Sequence, residues 1–145
     1  MRLPYRQVAP GAIEALAKLD HYLTADDASL PAALLELLKV RVSQINRCAF
    51  CINKHSQDAR ALGESEQRLY ALNAWRETPF FSDRERAALA WAEANTLLSQ
   101  STISEADFAA VSQHFTDREL VDLTLAIATI NAWNRIGVSF APIPR

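Results

Sequence analysis

Apolar residues recur every three to four positions along most of this chain, and nowhere do they alternate with polar ones for long enough to make a strand. Ile13, Leu16, Ala17, Leu19 and Leu23 fall near helical period after Pro10. A polar connection follows from Thr24 to Ser29. Ser29-Leu30-Pro31 then reads as a helix start, with Ala33, Leu34, Leu37, Leu38, Arg41, Val42 and Ile45 keeping the spacing. Ser65 is placed to cap a helix through Leu69, Leu72 and Trp75 that Thr78-Pro79 breaks. Ser82-Asp83-Arg84-Glu85 and Thr116-Asp117-Arg118-Glu119 are capping boxes, and Ser104 opens a shorter helix through Val111. Leu120 to Ile130 is apolar nearly all round, which predicts a helix at the centre of the fold or one covered by another subunit. The expectation is all-α: one domain over residues 1–145, a bundle of about five to seven helices.

Two short stretches qualify that pattern. Phe80 and Phe81 follow the proline break and are expected to anchor a loop on the core rather than line a substrate entrance. Asn131 and Asn134, with Arg135, come after the apolar helix and are expected to satisfy helix-end carbonyls rather than orient a substrate.

The chemistry concentrates between Gln44 and Arg60, which holds both cysteines. On a helix, Cys48 and Cys51 (i, i+3) and Cys51 and His55 (i, i+4) are surface neighbours, so two sulfurs and an imidazole share one stripe. Asn46 is the expected N-cap, leaving Cys48 in the first turn where unpaired N–H groups favour a thiolate, and Gly63 is the expected stop. A chain reversal near Asn46 sets Glu36 and His55 at the same height, each roughly 14 Å from the bend at about 1.5 Å per residue. A carboxylate there holds the imidazole in one tautomer and raises its basicity. The helix terminus favours ionisation of Cys48 and the histidine spacing favours Cys51. A paired base both takes a proton and returns one, so Cys51 is the preferred nucleophile.

Glu36, Cys48-x-x-Cys51-x-x-x-His55 and the run Ser56-Gln57-Asp58-Ala59-Arg60 into Gly63 resemble the alkylhydroperoxidase D-like branch of the carboxymuconolactone decarboxylase superfamily. The likeness is densest from Glu36 to Arg76. It implies an all-helical fold and a peroxidase in which Cys51 is the peroxidatic nucleophile, Cys48 the resolving thiol, and His55 and Glu36 a proton relay. It also implies assembly into trimers or hexamers, a peroxide substrate, and an external dithiol or thioredoxin-like reductant in place of any bound cofactor or metal. The family's prototype carries a second histidine immediately before its second cysteine, where this chain has Phe50, so the longer relay is absent. The decarboxylase branch lacks the cysteine pair, which argues against that activity here.

Composition narrows the alternatives. With 15 Lys and Arg against 17 Asp and Glu, the net charge of −2 offers no basic face for nucleic acid or anionic lipid. The first residues lack the apolar run of a signal peptide, and no stretch approaches the roughly 20 apolar residues of a membrane span. A cytoplasmic protein is therefore expected, where a lone Cys-x-x-Cys is catalytic or metal-binding more often than structural. Zinc held by Cys48, Cys51 and His55 would lack a fourth ligand. A haem site would need histidine at Ile52. A non-enzymatic redox sensor or a general thiol-disulfide oxidoreductase uses the same residues and remains the alternative.

Overall fold

The capping boxes and proline breaks set the element ends. In the computed structural model, which describes residues 1–144, the helices are α1 (Tyr5–Val8), α2 (Pro10–Leu23), α3 (Ala32–Ile45), α4 (Ala49–Ala61), α5 (Glu66–Ala71), α6 (Asp83–Thr96), α7 (Glu105–Ser112) and α8 (Asp117–Phe140). A 3-10 turn, Leu72–Glu77, continues α5. Both predicted boxes form: the Ser82 and Thr116 hydroxyls accept from the Glu85 and Glu119 N–H groups, and each glutamate reaches back to its cap. Ser104 and Asp107 make a third. There is no strand among the described residues, and no helix is long and apolar enough to cross a membrane.

The helix count is one above the expected range. The additional element is the single turn α1, in what the sequence reads as an extended start. Tyr5 buries its ring against Phe140, and the Arg2 N–H donates to the Phe140 carbonyl, so the arm is held on the end of α8.

At the centre lies α3, packed against α4, α6 and α8. Leu35, Leu37, Leu38, Val40 and Val42 are almost wholly buried, each such side chain contributing on the order of 2 kcal/mol. Alanines let the neighbour come close, since Ala88 and Ala92 of α6 are fully buried. Phe81 is buried in the core and Phe80 packs on it, as the anchoring reading expects. On α8, Leu123, Ala126, Ile127 and Ile130 face inward while Val121 is 59% exposed, so the apolar helix is central on one face and open on the other.

The expected role of the two amides is corrected. α8 does not stop near Ile130 but runs to Phe140, so Asn131 and Asn134 sit within it. Their side-chain oxygens both accept from the Asn46 Nδ2 at 2.9 Å, and the Asn134 amide donates to Ser43 Oγ. They pin the α3–α4 turn to α8.

Candidate active site

Two residues separate α3 from α4, apart from the cap that opens the second helix, and that tightness sets the geometry of the site. Asn46 caps the end of α3, Arg47 takes a left-handed conformation (φ 56°), and Cys48 begins the next helix. Asn46 is therefore not the N-cap the sequence suggests; its side chain is committed to the α8 amides. Cys48 itself is the N-cap, and its sulfur accepts from the Cys51 N–H at 3.4 Å. Gly63, at φ 94°, lies just beyond the end of α4 in the conformation expected of it.

Cys48 and Cys51 are joined as a disulfide, with Cα atoms 5.4 Å apart. The two sulfurs differ in surroundings. Cys48 is enclosed, at 1% exposure, whereas Cys51 lines a cavity of about 190 Å³ together with Phe50, His55, Trp133 and Gly137. Cys51 Sγ also lies 4.0 Å from the Trp133 carbonyl oxygen. The floor is a helix backbone: a Cβ at Gly137 of α8 would stand 2.6 Å from Cys48 Sγ and 3.3 Å from Cys51 Sγ. Only glycine admits the sulfur pair there. The sequence did not single out Gly137, although a lone glycine inside an apolar helical run is the available signal.

Equal heights on the hairpin bring Glu36 and His55 together. The His55 Nδ1 lies 2.7 Å from Glu36 Oε2, with both residues buried. An ionised carboxylate only accepts, so Nδ1 carries the hydrogen and Nε2 is left as the basic nitrogen. The other Glu36 oxygen, Oε1, accepts from Lys39 Nζ at 3.0 Å, and Lys39 also pairs with Asp20 Oδ1 at 3.2 Å. Burial alone would raise the Glu36 pKa, but the His55 hydrogen bond and the Lys39 charge outweigh it and hold the carboxyl below its ordinary value. Burial likewise works against the Lys39 charge, and the Glu36 and Asp20 carboxylates reverse this, so its pKa is raised. Lys39, one helical turn from Glu36, and Asp20 were both missed by sequence reasoning. An i, i+3 acid–lysine pair reads as a solvated surface pair until tertiary packing covers it.

Glu36, His55 and Asp58 offer one ligand atom each within 4.8 Å of one another. The Lys39 ammonium against Glu36 places a positive charge beside that group, which disfavours a cation there.

The structure thus gathers Cys48, Cys51, His55 and Glu36 into one cluster, with Cys51 and His55 on the cavity wall and the other two behind them. A thiol, a base with a fixed tautomer and a buried carboxylate can carry out nucleophilic attack followed by proton return.

Residues 10–94 match the carboxymuconolactone decarboxylase family. The chain is 40% identical over 138 residues to the uncharacterised protein YdfG of Bacillus subtilis (strain 168), covering 95% of this chain and 92% of that one. Its fold superposes with a TM-score of 0.94 on a protein of unknown function from Agrobacterium tumefaciens put forward as an antioxidant defence protein AhpD; the two are 36% identical, over 99% and 97% of the chains. An uncharacterised peroxidase-related protein from Silicibacter sp. TM1040 superposes with a TM-score of 0.82 at 29% identity, over 92% of this chain and 70% of that one.

Proposed function

The chain belongs to the carboxymuconolactone decarboxylase family, in its alkylhydroperoxidase D-like branch, and on that premise we propose that it is a thiol-dependent peroxidase cycling between the Cys48–Cys51 dithiol and disulfide. One observation carries the reading: the sulfur that opens on the cavity, Cys51, shares that wall with His55, whose other nitrogen is held by a buried Glu36.

In the reduced protein His55 Nε2 takes the Cys51 proton, directly or through one water. The thiolate attacks the distal oxygen of a hydroperoxide, the O–O bond breaks, and the alkoxide leaves with the proton returned by His55, giving an alcohol and Cys51 sulfenic acid. The Cys48 thiol condenses with it, releasing water and forming the disulfide. An external dithiol then supplies two electrons and two protons, its thiolate attacking the Cys51 sulfur, which lines the cavity where Cys48 does not. Cys48 is a good leaving group in that step, because the helix terminus and the Cys51 N–H both stabilise its thiolate. No bound cofactor enters the cycle. Phe50 stands where the family's prototype has its second histidine, so proton transfer in this cycle runs through His55 and Glu36.

The working form in this reading is a homo-oligomer, a trimer or hexamer. Support comes from the open face of α8, where Val121, 59% exposed, and Phe108 of α7, 50% exposed, line one apolar groove with Leu120 and Leu125.

The direct assay follows consumption of cumene hydroperoxide driven by dithiothreitol. Turnover is expected in the parent and absent in Cys51→Ser. A Cys51→Ser protein with full activity would remove this mechanism.

A further inference from the structure

The cavity beside Cys51 continues outward. It shares Tyr5, Arg6 and Phe50 with an outer groove of about 530 Å³ that runs along the N-terminal arm to Pro142 and Ile143. The inner chamber alone, at about 190 Å³, exceeds by several fold the roughly 30 Å³ a water molecule occupies in the liquid. Hydrogen peroxide is scarcely larger than water, whereas an organic hydroperoxide fills such a space. Aromatic walls from Phe50 and Trp133 suit an apolar body.

Charge on those walls is unequally satisfied. Lys54 pairs with Asp58 at 2.6 Å, and Asp20 pairs with Lys39 at 3.2 Å. Arg6, at the neck between chamber and groove, has no carboxylate partner among the described residues. Its guanidinium lies 5.6 Å from the ring centre of Tyr5 and 5.9 Å from that of Trp133. Those faces hold the cation while its N–H edges stay free for a planar anion, which is the geometry of carboxylate recognition. Trp133 also spans the distance to the chemistry, since its carbonyl oxygen stands 4.0 Å from Cys51 Sγ.

We propose that the physiological substrates are hydroperoxides of amphipathic carboxylic acids, and that Arg6 selects them by binding the carboxylate at the neck while the O–O bond reaches Cys51. The proposal rests on the thiol-peroxidase reading above and adds the substrate class to it. An anion would otherwise be repelled by the Cys51 thiolate, so the Arg6 charge decides whether such a molecule enters.

The test compares cumene hydroperoxide with its para-carboxylated analogue at low salt, and in parallel the alkylation of reduced Cys51 by iodoacetate and iodoacetamide, near-isosteres that differ in charge. The carboxylated peroxide is expected to be favoured about tenfold in kcat/KM, the scale of one charge-assisted contact. Arg6→Gln is expected to bring that preference to unity or below and to lower the iodoacetate-to-iodoacetamide ratio by about tenfold or more, with Arg6→Lys in between. Arg118→Gln, the same charge removed far from the cavity, should leave both ratios unchanged. Turnover of both peroxides without preference overturns the substrate class and leaves the peroxidase reading standing. An Arg6-dependent alkylation bias in a protein with no peroxide turnover keeps the anion-selecting role of Arg6 and overturns the hydroperoxide as its substrate. A bias that survives Arg6→Gln and disappears in Lys54→Gln overturns Arg6 as its source.

Discussion

Glu36 and Glu93 are both carboxylates drawn into the helical core and kept ionised by cations, and their difference separates a site from a strut. Glu93 of α6 accepts from Arg41 Nε and Trp75 Nε1 at 2.8 Å each, and from Arg76. Burial would raise its pKa, and the Trp75, Arg76 and Arg41 hydrogen bonds reverse that. All its partners are fixed donors, and it borders no cavity beside a thiol. Glu36 has a similar environment, with one decisive change: one of its two partners, His55, is an imidazole that lines the same chamber as the Cys51 sulfur. A shifted carboxylate marks function only when it hands its charge to a group that can exchange a proton with substrate.

The largest effects should fall on the Glu36 side. Cys51→Ser is expected to reduce hydroperoxide turnover to background, while Cys48→Ser should leave one sulfenic acid, detected by dimedone trapping and intact mass. Glu36→Gln should slow turnover by about 10- to 100-fold, by analogy with the cost of removing the carboxylate that orients a metal-bound histidine. Glu93→Gln is expected to lose about 1–3 kcal/mol in a denaturant titration, since the part-buried Arg41 and the Trp75 N–H lose their ionised acceptor while Arg76 is exposed to solvent, with an unchanged pH dependence of kcat. Equal kinetic effects from the two variants would break the comparison.

Gly137→Ala tests the floor on which both sulfurs rest. In an ordinary helix interior the change gains about 0.5–1 kcal/mol. Here the new Cβ meets Cys48 Sγ at 2.6 Å, so a loss of about 1–3 kcal/mol from overpacking is expected, read as a lowered melting temperature of the oxidised protein.

The pH dependence follows from the same carboxylates. Glu36, Glu85 and Glu93 all have pKa values lowered by their cation and hydrogen-bond partners against the opposing effect of burial. Their contribution is fully present above the unfolded value of about 4.3 and is lost as pH falls through the lower folded values. The melting temperature should hold from pH 7 to about 5 and drop below about 4, with a shallower drop in Glu93→Gln. Lys39, whose pKa is raised, contributes fully below about 10.4 and loses that contribution only as pH climbs through its higher folded value. The smallest effect is at the turn: Arg47→Gly should gain up to about 1 kcal/mol, because Arg47 is a non-glycine residue in the left-handed region (φ 56°).

Much of the site was legible because its spacing is local. Cys48, Cys51 and His55 share a stripe by helical period alone, and Glu36 joins them because it and His55 are similar distances from the bend. The end of α4 at Gly63, set by a backbone conformation that glycine takes without strain, and the boxes at Ser82 and Thr116, set by side chains acting within four residues, were equally readable. What escaped depends on distant partners. Asn46 looked like a cap until Asn131 and Asn134, 85 and 88 residues away, took its amide. Lys39 was not singled out, because its pairing with Glu36 and with Asp20 of α2 is set by tertiary packing. Ser29, read as part of a helix start, instead donates to Asp122 of α8 at 2.6 Å. The single-turn α1 owes its position to Phe140 at the other end of the chain.

Whether Cys51 and Cys48 together reduce a peroxide is read most directly from intact mass and free-thiol count on the reduced protein, before and after one equivalent of an organic hydroperoxide. Rapid loss of both thiols is expected, with a two-hydrogen decrease in mass and one equivalent of alcohol formed. Two thiols still open to alkylation, with the hydroperoxide unconsumed, would contradict it.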